Sequence, residues 1–198
     1  ASAVAWAFFS GSLLGFGGLF MIYVLNSQEV SRTIPVAQSA PIFAAIMGFL
    51  FLGESLSLIQ WLAVLVTASG AVLLSVRQDQ EYRRLFIHSS LFLLTAASIL
   101  SAAGLVTGKI PLDTLSVPLT HGFRSLGLSS VFLITSLSNT KARQDVAMLV
   151  RSRSRGLLLV SVSELVVVSV GFLLLLWAIS TGPVGLVTAI MATRSFFV

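Results

Sequence analysis

Residues 157–180 read LLLVSVSELVVVSVGFLLLLWAIS, with a single charged side chain, Glu164. A helix of that length rises about 36 Å, more than the roughly 30 Å hydrocarbon core of a bilayer. The run is continuous and lacks the ten-residue alternation of a barrel strand. It therefore reads as a membrane-spanning helix. Outward from it, further apolar runs cover 4–26, 33–52, 58–76, 90–107 and 115–137, and an incomplete one starts at 184. Seven spans are expected, in an all-α polytopic transmembrane bundle.

Composition agrees. Of 198 residues, 56% are hydrophobic and 10% charged, and the mean hydropathy is +1.00. Soluble domains carry about 25% charge. A chain this poor in polar side chains cannot cover a water-soluble globule, and soluble, disordered and disulfide-scaffold classes are excluded. There is no cysteine, and His88 and His121 are too far apart for a His-rich metal site, so no metal and no cofactor is expected. The net charge of +5 comes without a basic-aromatic tract, so no nucleic-acid partner is expected. Such a charge fits basic cytoplasmic loops.

Residue 1 is Ala and opens directly into an apolar run, and 183–198 reaches only about 24 Å as a helix. The chain therefore reads as an internal piece of a longer membrane protein. Ser57-Leu58-Ile59-Gln60 has capping-box spacing at the head of the third segment. Pro111 and Pro118 mark the fourth-to-fifth connection, and Pro183 the start of the seventh segment. Pro35 and Pro41 fall within the second, where they free carbonyls and either kink the helix or are simply tolerated.

Alternate connections collect Arg32, Arg77, Arg83, Arg84, Lys141, Arg143, Arg151, Arg153 and Arg155 on one side and only Lys109 on the other. The basic side is expected to be cytoplasmic, with loops at 77–88 and 138–156. The cluster at 151–155 should touch anionic lipid headgroups. A shift of 154 residues lays the first two segments on the last two: Gly17 on Gly171, Leu19 on Leu173, Ser27 on Thr181, Val30 on Val184 and Ser39 on Thr193. Segment one then corresponds to six and two to seven. An odd offset makes the repeats run in opposite directions, an architecture recurrent in secondary transporters.

Three stretches carry a family resemblance. They are Val36-Ala37-Gln38-Ser39-Ala40-Pro41-Ile42-Phe43, then Gly48-Phe49-Leu50-Phe51-Leu52-Gly53-Glu54, then Leu58-Ile59-Gln60-Trp61 through Gly70. Together they resemble the EamA domain of the drug/metabolite transporter superfamily: a Pro-hydrophobic-Phe helix, an apolar stretch ending in Leu-Gly-Glu, and a glycine-bearing helix. Gly182-Pro183-Val184 to Phe197 resembles the start of the same stretch in a second repeat, with Ser195 where the family has proline. The match is good over about 30–78, and the middle, about 85–160, matches only in hydropathy. The resemblance implies ten helices in two inverted five-helix repeats. It places 1–78 in the latter part of the first repeat and 89–198 in a truncated second repeat, with 79–88 a cytoplasmic linker by the charge count. It also implies export or exchange of small organic solutes without ATP. Family members usually have both termini in the cytoplasm, which would put 77–88 and 138–156 outside; the charge count places them inside.

A charge at membrane depth is costly and reads as functional by default. Arg124 in the fifth segment, Glu164 in the sixth and Arg194 in the seventh all project to about mid-membrane depth. Arg124 and Arg194 are candidates to meet an anionic solute, with Glu164 as counter-ion or proton carrier. The alternative is a structural Glu–Arg pair that locks helices together. His121 shares a helix face with Arg124 and suits either proton coupling or packing. Gln38 and Ser39 either line a cavity or bond to freed carbonyls. Glu54 suits capping or loop anchoring better than catalysis. Gly11, Gly15 and Gly18, Ala97, Ser101 and Gly104, and Ala63, Thr67 and Gly70 read as packing seams.

No Walker loop, His-Glu-x-x-His or Gly-x-Ser-x-Gly is present. The chain therefore reads as no enzyme. It reads as a secondary transporter of small organic metabolites in the plasma or inner membrane, working by alternating access with proton or counter-substrate coupling. The alternative is a non-transporting membrane scaffold or lipid-interacting subunit.

Overall fold

The computed structural model describes residues 2–26, 39–76, 89–151 and 155–193. Among these, eight α-helices and one 3-10 turn make an all-helical fold. They are α1 (Ser2–Leu25), α2 (Ala40–Leu52), α3 (Leu58–Val76), α4 (Ser89–Lys109), α5 (Val117–Ser138), α6 (Thr140–Arg151), α7 (Arg155–Thr181) and α8 (Val184–Ala192), with the 3-10 turn at Ile110–Asp113.

Local chemistry explains the boundaries. The capping box forms: the Ser57 N–H donates to Gln60 Oε1 at 2.8 Å, and the Gln60 N–H donates to Ser57 Oγ at 3.3 Å. Helix α2 stops at Gly53, whose φ of 67° is left-handed, and the Glu54 N–H returns to the Gly48 carbonyl at 3.1 Å. Pro41 lies in the first turn of α2 rather than in its interior. It is not a kink, because its missing N–H there had no intrahelical acceptor. Pro35 lies outside the described residues. The expected loop at 138–156 also differs, since it contains α6. Asn139 Oδ1 accepts from the Lys141 and Ala142 N–H groups, and the helix is amphipathic rather than apolar, so hydropathy passed over it.

Among the described residues, three helices are long and apolar enough to cross a membrane: Ser2–Leu25, Phe92–Asp113 and Ser161–Thr181. Ala40–Leu52 and Leu58–Thr67 are apolar but shorter. Helix α5 has 22 residues, but serines, threonines, His121 and Arg124 dilute its apolar character.

Glycine governs the packing. Helix α1 lies in the angle between α4 and α5, so close that a Cβ at Gly11 would strike the Arg124 carbonyl and one at Gly127 the Phe8 carbonyl. A Cβ at Gly17 would lie 2.7 Å from Ser101 Oγ, and one at Gly104 would lie 2.9 Å from the Ser10 carbonyl. The expected seams of α1 and α4 are therefore real contacts, where small residues let the backbones meet, whereas Ala63 of the seam expected on α3 is exposed. The same contacts run α1 antiparallel to α4 and parallel to α5. A core of Ala44, Ala102, Val106, Leu175, Ile179 and Val184 joins α2, α4, α7 and α8. Phe51, Leu58, Ile59 and Trp177 are 63–78% exposed, as befits side chains solvated by lipid.

Candidate functional site

Two polar constellations stand out. The first is a latch at the charge-poor end. Glu54, just past α2, receives the Lys109 ammonium at 2.6 Å on Oε1 and the Val184 N–H at 2.9 Å on Oε2. Lys109 also donates to the Gly182 carbonyl at 2.8 Å. One carboxylate thus ties the end of α4 to the start of α8. It supplies the N-terminal cap that Pro183 lacks, at the helix end where negative charge is favoured. Gly48 leaves room for it, since a Cβ there would lie 2.7 Å from Glu54 Oε2. Glu54 is thus an anchor, as the sequence suggested; its pairing with Lys109 was not foreseen.

The second constellation is a cavity of about 330 Å³ between α1, α5 and α7. Leu14, Leu128, Leu165, Val168 and Phe172 give it apolar walls. His121, Arg124, Ser125, Ser129 and Ser169 supply the polar groups. The lining follows helical period on both long helices: 121, 124, 125, 128 and 129 on α5, and 165, 168, 169 and 172 on α7.

Arg124 is only 2% exposed. Among the described residues none of its three guanidinium nitrogens has a hydrogen-bond partner, nor do His121 Nδ1 and Thr120 Oγ1. Its guanidinium carbon lies 5.9 Å from the Phe172 ring centroid, within cation–π range. His121 stacks on the same ring, with centroids 6.2 Å apart and planes 23° apart. Gly108 makes room for the head group, since a Cβ there would lie 3.0 Å from Arg124 Nη1. An aromatic face is a weak counterpart for a buried cation. A guanidinium held this way keeps an unmatched charge and unmade hydrogen bonds among the described residues.

Of the other sequence candidates, Glu164 lies on α7 one turn before Val168, with only its backbone described. Gln38 and Arg194 lie outside the described residues, as does the linker 79–88. The structure adds Gly108, Ser125, Ser129, Ser169 and Phe172 to the site. A wider groove of about 610 Å³ between α5 and α6 carries the exposed Arg143 and Gln144. A solvated cation there needs no partner, so the buried Arg124 is the better indicator of a site.

Residues 1–76 match the EamA-like transporter family. A protein of a Sinorhizobium species described as an uncharacterized transporter in the cobO 3' region is 38% identical over 73 residues. That match covers 36% of this chain and 52% of the relative, so the chain spans about half the length of the curated relative it matches. No solved structure matches the chain.

Proposed function

Taking as premise that residues 1–76 form an EamA-like transporter domain, a membrane transporter family rather than an enzyme family, we propose that the protein is a secondary transporter. It moves a small organic solute across the plasma or inner membrane by alternating access. The Arg124 cavity is its solute site. The observation that carries this reading is Arg124, which lines a cavity between three helices and whose buried guanidinium has no partner among the described residues. A scaffold whose charges only hold helices together would pair that cation.

Two inverted repeats, one including 1–78 and the other 89–198, form the moving halves. Their directions support this. Helix α7 ends at the latch, where α1 begins, and α8 begins at the latch, where α2 ends. His121 lies beside Arg124 as a second solute contact. Glu164 serves as a proton carrier outside the described lining, and Gln38 and Arg194 are further candidates for the solute path. The basic end faces the cytoplasm.

The test is a melting-shift panel on the purified full-length protein, with amino acids, organic anions, sugars, nucleosides and cationic amines at two pH values. A ligand at 100 times its dissociation constant stabilises by about 2.7 kcal/mol. At least one compound is expected to raise the melting temperature, and Arg124→Gln to abolish that shift. A shift that survives Arg124→Gln would move the site elsewhere. No shift with any class would overturn the transporter reading in favour of a scaffold.

A further inference from the structure

We propose that the Arg124 cavity selects a small organic monoanion, with one carboxylate on the guanidinium and an apolar body along the walls; this rests on the transporter reading above. Three observations carry it.

The first is charge. Among the described residues lining the cavity, Arg124 is the one side chain with a full charge. Burial makes any unmatched charge expensive. A monoanion brings the site to neutrality. A dianion leaves one charge uncompensated, a neutral solute leaves the guanidinium unpaired, and a cation is repelled. Phosphate monoesters carry nearly two charges at neutral pH and are disfavoured on the same ground.

The second is geometry. All three guanidinium nitrogens lack a partner among the described residues and are enclosed by protein, so the planar fork takes both oxygens of a carboxylate when the helices around it part. His121 Nδ1 offers a further hydrogen bond, as donor or acceptor by tautomer.

The third is the shape and polarity of the remainder. The volume, about 330 Å³, lies at the small end of ligand pockets. Arg124, His121 and Phe172 stand at the end nearer the latch, and Ser129 and Leu165 at the end nearer the basic side. Beyond the charged end the walls are mainly leucine and valine, with Ser125, Ser129 and Ser169 for one or two polar substituents. A compact apolar acid fits; a polyol does not, because most of its hydroxyls would face hydrocarbon.

The experiment is equilibrium binding to the purified full-length protein with matched charge series. The aromatic series is benzoate, benzamide, benzylamine, phthalate and phenyl phosphate, and the aliphatic series is isovalerate and isovaleramide. Any ligand from the broad panel is run beside its own amide and amine in the same way. The acids are expected to bind at least tenfold tighter than the amides, amines and dianions. Arg124→Lys should narrow that preference and Arg124→Gln erase it. The wild-type comparison stands by itself if either variant fails to fold. Amides or amines binding as tightly as acids would overturn the monoanion assignment while leaving a solute site in place. Dianions binding tighter would do the same. No binding by any compound of these series or of the broad panel would remove the solute site itself.

Discussion

At Arg124 the sequence and the structure contribute different parts. The sequence places a cation inside an apolar segment. Packing then removes it from solvent and puts Phe172 beside it, with no carboxylate partner among the described residues. A desolvated charge without a hydrogen-bonded partner lowers stability. Arg124→Met keeps the apolar stem and removes the charge, so in the absence of any ligand it is expected to stabilise the protein by about 1–2 kcal/mol. Thermal unfolding of the ligand-free full-length protein in detergent checks this. A lower melting temperature for the variant would mean the guanidinium is a structural partner. Arg124 was legible because charge in a hydrophobic run is conspicuous. Ser125, Ser129 and Phe172 were not, because serine and phenylalanine are ordinary in membrane helices. Only the pairing of the α5 and α7 faces distinguishes them.

At the scale of elements, the connections carry much of the specificity. Helix α8 (Val184–Ala192) starts at the latch and leans on tertiary contacts. It is held by burial of Val184, Thr188 and Ala189 and by the Glu54 cap on its first N–H. Helix α2 crosses it closely, with a Cβ at Gly185 falling 2.5 Å from the Ala45 Cβ. In the latch, the Lys109 and Glu54 side chains are 24% and 12% exposed, so solvent screens the pair only partly. Glu54→Gln is expected to cost on the order of 2 kcal/mol, read from detergent unfolding. Lys109→Met in the Glu54→Gln background should cost clearly less than in the wild type. Additive costs would show that the two residues act separately. The sequence contained the Leu-Gly-Glu motif and the isolated Lys109, but their separation of 55 positions offers no local signal that they meet.

At the scale of the whole molecule, the latch draws three connections together: the α2–α3 turn, the end of α4 and the α7–α8 turn. Helix α1 begins and α5 begins at that same end. Alternation of the segments places these connections on one side, and the contacts agree. These 198 residues contain no cysteine, so single cysteines introduced in them report alone once any cysteine elsewhere in the full-length protein is replaced by serine. Ser55→Cys and Thr114→Cys are expected to react with a membrane-impermeant maleimide added outside intact cells. Gln144→Cys on α6 should react only after permeabilisation. The opposite pattern would reverse the orientation that the basic residues imply. Ser55 and Thr114 reacting from different sides would break the parity of the helices.

The sequence by itself determined that this protein lives in lipid, that it is helical, and where most helices begin and end. Those properties depend on local composition, helical rise and capping chemistry, which act over a few residues. It also exposed the EamA-like stretch and the buried cation. It did not expose α6, whose amphipathic pattern hydropathy averages away. Only the tertiary structure decided which helices meet, that Glu54 takes Lys109 and the α8 N-terminus, and that Arg124 lines a cavity with Phe172 beside it. Those facts depend on contacts between residues far apart in sequence, and close packing rather than local preference selects them.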